Sequence, residues 1–148
     1  DVRSLNKRLV PKGLCLLPMR YQGNRALLYL YRPRCLRRDL TNDLATEVLS
    51  GAGYQGKSCE QCVARLMHRL REGQEFPHEV GLFLSYPPED VKGFIDNKAE
   101  NFKCAGLWKV YGDEKRAREL FARYKRCTDI YCALWRAGSS IEQLAVPV

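Results

Sequence analysis

Glu75-Phe76-Pro77-His78-Glu79-Val80-Gly81-Leu82-Phe83-Leu84-Ser85-Tyr86-Pro87-Pro88-Glu89-Asp90-Val91-Lys92-Gly93-Phe94-Ile95 is the stretch on which the fold turns. Val80 to Leu84 is a short apolar run between charged and proline-rich sequence, the pattern of a buried strand. Pro87 and Pro88 suit a helix's first turn, where a missing N–H leaves no bond unmade, and Glu89 and Asp90 complement its positive dipole end. A short helix is predicted there, carrying Val91, Phe94 and Ile95 inward and closing at Asn97. Leu107 to Tyr111 reads as a further strand. Gly112-Asp113 then turns the chain into its longest helix, from about Asp113 to Arg136, with Ala117, Leu120, Phe121, Tyr124, Tyr131, Leu134 and Trp135 on one side. Phe76 to Tyr131 therefore reads as strand, helix, strand, helix.

Working back from this stretch, Ser58 and Gln61 form a capping box for a helix from Cys59 to about Arg71, whose apolar stripe is Cys59, Cys62, Val63, Leu66, Met67 and Leu70. Leu40, Leu44, Ala45, Val48 and Leu49 predict a helix before it, ended by Gly51 and Gly53. Gly13 to Arg20 and Asn24 to Arg32 are apolar runs joined by Tyr21-Gln22-Gly23-Asn24, a β-hairpin that Pro33 breaks. Val2, Leu5 and Leu9 are spaced as on a helix face, so an element beginning at or before Asp1, with a segment preceding it, is expected. At the other end, Gly138 closes the long helix and Ser139-Ser140 cap a brief one through Leu144. The fold class expected is α+β: a small sheet, made of the N-terminal hairpin and two later strands, packed with about five helices in a single domain over residues 1–148.

A chain of 148 residues with 45% hydrophobic and 28% charged residues is neither disordered nor fibrous, and no apolar run approaches the ~20 residues of a membrane helix. Seven cysteines are an odd set in a chain that needs no staples, which favours reduced thiols in a cytoplasmic compartment. The net charge of +8 lies wholly in the first half: residues 1–74 hold 14 Lys+Arg against 6 Asp+Glu, and residues 75–148 hold 11 of each. Its densest part, Arg32, Arg34, Arg37 and Arg38, would attract nucleic acid, phosphate or an acidic partner, or simply keep a solvated face.

Residues 75–95 resemble the hallmark of a bacterial family known as domain-of-unknown-function family 3793. Lys103-Cys104-Ala105-Gly106-Leu107-Trp108-Lys109-Val110-Tyr111-Gly112-Asp113 and Phe121 to Tyr131, including Tyr124-Lys125-Arg126-Cys127, resemble the rest of its pattern, and the likeness reaches back through Tyr29 to Arg34. The resemblance implies a cytoplasmic protein of anaerobic, Clostridia-like bacteria with a flavodoxin-like or iron-handling partner, and it implies no activity. Ser85 stands where the family usually has glycine, and Ala105 where a second cysteine often follows Cys104. The second departure weakens an obligatory Cys-Cys ligand pair.

Three groups of residues could carry chemistry. Cys59 and Cys62 place a CxxC at a helix N-terminus, where a thiol can be acidified for disulfide exchange; the same stripe also suits two small buried hydrophobes. A metal site needs about four ligands, which Cys104, Cys127 and His78 could complete. His78 and Glu79 pair an imidazole with a carboxylate, fit for acid–base work or for structural hydrogen bonds. Tyr86, Trp108 and Tyr111, among Lys98, Lys103, Lys109 and Lys115, suit a phosphate-bearing or planar ligand by charge and stacking. No phosphate loop or dinucleotide fingerprint occurs, and no cofactor is specified. Three functions follow: a binding or accessory module serving redox or iron physiology, with its pocket around Phe76 to Tyr111; a nucleic-acid-binding protein; and a thiol redox enzyme.

Overall fold

The computed structural model describes residues 1–147. Helix α1 (Val2–Leu9), capped by Asp1, leads through a 3-10 turn to the hairpin of β1 (Cys15–Gln22) and β2 (Arg25–Tyr31), paired antiparallel from Cys15 opposite Tyr31 to Gln22 opposite Arg25. The register slips between Pro18 and Arg20, which turns Met19 into the core. Helices α2 (Pro33–Leu40), α3 (Asp43–Gly51) and α4 (Cys59–Glu72) follow, then α5 (Val80–Phe83) and α6 (Pro88–Asp96). A second, minimal hairpin of β3 (Cys104–Ala105) and β4 (Lys109–Val110) precedes α7 (Glu114–Arg136) and α8 (Ile141–Leu144). The class is α+β, with the strands in two separate two-stranded sheets instead of the one small sheet expected. Among the described residues, no helix is long and apolar enough to cross a membrane.

Several elements follow directly from local chemistry. The Ser58–Gln61 capping box forms with both reciprocal bonds, and Ser140 with Gln143 forms a second one on α8. The helix expected from Leu40 to Leu49 is two helices: Pro33 starts the first, because its missing N–H costs nothing there, and Asn42 caps the second by accepting from Leu44 N and Ala45 N.

The predicted strand Val80–Leu84 is a correction. It is helical, entered through a turn in which Val80 N donates to Pro77 O (3.2 Å) and Leu82 N to Glu79 O (3.0 Å). Gly81, Leu82 and Phe83 are buried between α2 and α6, so their apolar run reflects burial from all sides and carries no strand periodicity. The strand expected at Leu107–Tyr111 shrinks to Lys109–Val110, paired with Cys104–Ala105.

Apolar contacts gather in three clusters. The largest joins Met19 and Tyr29 of the first hairpin to Leu36, Leu49, Leu66, Leu70, Phe83 and Val91 from α2 to α6. Leu9, Leu16 and Ala145 tie α1 and the chain's end to β1. Trp108, Val110 and Ala117 form the third, with Tyr86, Phe121 and Tyr124 against it. The long helix enters this cluster with its first half only. Tyr131, Leu134 and Trp135, expected on the same side of the helix as Ala117 and Phe121, are 44%, 43% and 61% exposed.

Candidate ligand cleft

Trp108 organises the region between α6 and the β3–β4 hairpin. Its ring stacks on Tyr86 (centroids 4.7 Å) and meets the edges of Phe121 (4.5 Å) and Tyr124 (6.2 Å). Its Nε1 donates to Asp90 Oδ2 at 2.7 Å, while Asp90 Oδ1 accepts from the backbone N–H of Tyr111 (2.9 Å) and Gly112 (2.8 Å). Asp90 is only 3% exposed, and its three donors explain how a carboxylate is accommodated there. One side chain thereby fixes the start of α6, the indole and the turn into α7. Sequence reasoning gave Asp90 a dipole role at the helix start and missed this bridge; no spacing rule links it to Trp108.

On the open side of this assembly lies a cleft of about 540 Å³, lined by Phe76, His78, Val80, Tyr86, Phe94, Leu107, Trp108 and Lys109 among others. His78 packs its ring on Phe94 (5.1 Å), and Lys109 holds its ammonium over the Phe102 ring (4.6 Å) while donating to Ala99 O at 2.9 Å. The ammonium has three donors, so further protons remain for a ligand. Gly81 belongs to the lining because a Cβ there would lie 2.8 Å from Val91 Cγ2 and 2.9 Å from Tyr86 Cδ2. The loop beside the cleft is strained: Lys98, Ala99 and Asn101 have φ of 49°, 66° and 59°, which side chains with a Cβ adopt at a cost. Lys109 on Ala99 O and Tyr111 Oη on Glu100 O (2.9 Å) hold that loop in place.

Of the residues expected to bind a ligand or to carry acid–base chemistry, His78, Tyr86, Trp108 and Lys109 line this cleft together. Lys103 instead donates to Gly112 O (2.7 Å), and Tyr111 is engaged at the loop. Glu79 faces a neighbouring groove, which shares Phe76 and His78 as its wall. It is 3% exposed, accepts from Tyr54 Oη (2.9 Å) and pairs with Arg69 Nε (2.5 Å). Burial, then the nearby Glu79 charge, pushes the Tyr54 hydroxyl far above its ordinary value, so it stays a donor. His78 and Glu79 therefore serve different surroundings despite being adjacent in sequence.

The four cysteines are not brought to one site. Cys59 and Cys62 line a separate cavity of about 630 Å³ beside Arg37, with Cys62 in the main core; Cys104 packs near Trp108, and Cys127 is exposed on α7. Burial pushes both the Cys59 and Cys62 thiols up, against the acidification that disulfide exchange requires. Among the described residues, no three His, Cys, Asp or Glu side chains are grouped to hold a metal. The arginines are dispersed among separate partners: Arg32 donates to Lys12 O and Val146 O, Arg37 pairs with Glu60 (2.6 Å) and Arg38 with Asp39 (3.0 Å), while Arg34 is exposed.

Compared with known proteins, residues 1–145 match the family model described as "Protein of unknown function (DUF3793)". No curated protein and no solved structure matches the chain.

Proposed function

Since the chain belongs to the DUF3793 family, whose description names no activity, we propose from its own geometry that it is a binding module for a planar, largely apolar ligand carrying one anionic group. The observation that carries this reading is the aromatic cleft of about 540 Å³, within the ~300–1,000 Å³ of small-molecule sites, whose few polar groups are His78, Lys109 and Asp90, the last with its oxygens already engaged by Trp108, Tyr111 and Gly112. Tyr86, Phe94 and Phe76 offer faces for stacking, and Lys109 supplies the charge. The strained loop at 98–101 supports the same reading, since left-handed backbone outside glycine collects where a site has to be shaped. No nucleophile–base pair lies in the cleft, so binding accounts for its composition better than catalysis. Service in redox or iron physiology, in a cytoplasmic compartment and beside a flavodoxin-like partner, belongs to the same proposal and sets the choice of probes.

The test is a thermal-shift panel on reduced protein with flavin mononucleotide, haem, ferrous iron and zinc. A planar probe at about 100 times its Kd should raise Tm by roughly 5–10 °C for a domain of this size, and the bare metals should not. Phe76→Ala, which removes an exposed stacking face, should weaken the shift about tenfold in probe concentration. Ala105 also lines the cleft, so indifference to both planar probes, or a shift unaltered in Phe76→Ala and in the cleft-filling Ala105→Glu, would remove the proposal.

A further inference from the structure

The second half of α7 leaves the body of the protein: every residue from Lys125 to Gly138 is exposed. Its ends are anchored, the first half of α7 by Phe121 and Tyr124 against Trp108, and the following α8 by Ala145 against Leu9 and Leu16. The span between carries Ile130, Tyr131, Leu134 and Trp135, which are 53%, 44%, 43% and 61% exposed. Isolated helical segments of this length are marginal without tertiary packing. Such a span therefore calls for a partner.

Cys127, Tyr131 and Leu134 follow one another at steps of four and three, and Tyr124 precedes them by three, which is the seam spacing of paired helices. Ile130 and Trp135 flank the seam. At 100° per residue, the charged Lys125, Arg126, Asp129 and Arg136 all fall away from it, and Lys125 is already paired with Asp129 (2.7 Å). Arg123, about 40° from Cys127 at the root of the span, is the one charge beside the stripe; from Cys127 to Trp135 the stripe carries none, and a two-fold axis near Tyr131 sets the Arg123 side chains of two copies at opposite ends of the seam, beyond each other's reach. The stripe is also continuous with Leu30 (52% exposed) and Leu84 (46%), which share a groove with Tyr124 at the root of the span.

We infer that α7 docks seam to seam with α7 of a second copy of this chain, in a two-fold dimer. Half-burying six large apolar side chains in each copy covers on the order of 500 Å², taking ~150–250 Å² for a whole aromatic side chain. Two copies reach about 1,000 Å², the lower bound of a specific interface, a size typical of reversible association. The seam is a different surface from the ligand cleft, and this inference stands without it.

Sedimentation equilibrium under reducing conditions, from about 1 to about 100 μM, reads the reversible association expected of so small an interface. Wild-type protein should pass from monomer to dimer over that range. Leu134→Glu, and separately Ile130→Lys, should stay monomeric while retaining wild-type circular dichroism, because both side chains are exposed in the single chain. The reduced protein rules out association through the exposed Cys127 and Cys132. A wild-type monomer throughout the range, or a dimer that survives both substitutions, would overturn the inference.

Discussion

At the residue scale, Asp90 makes the sharpest prediction, because one buried carboxylate serves an indole and two backbone donors. Asp90→Ala should cost about 3 kcal/mol or more in a urea titration, from three buried donors left without a partner. Asp90→Asn sets an amide N–H against Trp108 Nε1–H. A cycle with Trp108→Phe should therefore return a coupling of about 1 kcal/mol, and additive effects would contradict the bridge. Ser85 has φ of 61° and donates to Asp39 Oδ2 (2.7 Å), which explains in backbone terms why glycine suits this position. Ser85→Gly should be more stable than Ser85→Ala by about 1 kcal/mol, since both lose the hydroxyl and only alanine keeps the left-handed strain. The cysteines add a pH dependence. Burial raises the Cys59 and Cys62 thiols, so the folded state binds their protons more tightly than the unfolded state does. That stability is complete below the unfolded thiol value of about 8.5 and is lost as pH rises through the folded values. Urea midpoints should fall above about pH 9, and Cys62→Ala should flatten the fall; a midpoint rising over that interval would contradict the burial.

At the scale of elements, what the sequence made legible was local chemistry. The Ser58–Gln61 box names both its partners in sequence, and Ser58→Ala should cost about 1 kcal/mol by urea denaturation. The hairpin turn and the proline-led start of α6 were equally readable, because each depends on residues within a few positions of one another. Val80–Phe83 was not, since a four-residue apolar run buried on all sides has no period to separate helix from strand. Nor was β3, whose two residues are positioned by long-range packing: a Cβ on the adjoining Gly106 would collide with the Phe121 ring of α7. Gly106→Ala should accordingly cost about 1–3 kcal/mol, through displacement of Phe121 from Trp108.

At the scale of the whole molecule, the candidate site was legible by residue type and illegible by arrangement. Aromatics and lysines around Phe76 to Tyr111 announced a cleft, and four of the expected residues line it. Which of them turn elsewhere depended on contacts across the fold: Glu79 is drawn to Tyr54 and Arg69, and Lys103 to Gly112. The periodicity of α7 likewise gave its apolar side correctly but could not say that only the first half meets its own chain. The cleft and the long helix meet at Trp108, which touches Phe121 and Tyr124 of α7 while lining the cleft. The chain has two tryptophans, and the other, Trp135, is exposed on the far half of α7. Trp135→Phe therefore leaves Trp108 as the sole indole reporter of the cleft. Titrating that protein with flavin mononucleotide and with haem should quench Trp108 saturably at one ligand per chain, with the quench shifted to higher concentration by Phe76→Ala and abolished by Ala105→Glu. Emission that stays unchanged, or declines linearly and identically in all three proteins, would contradict a binding role for the cleft.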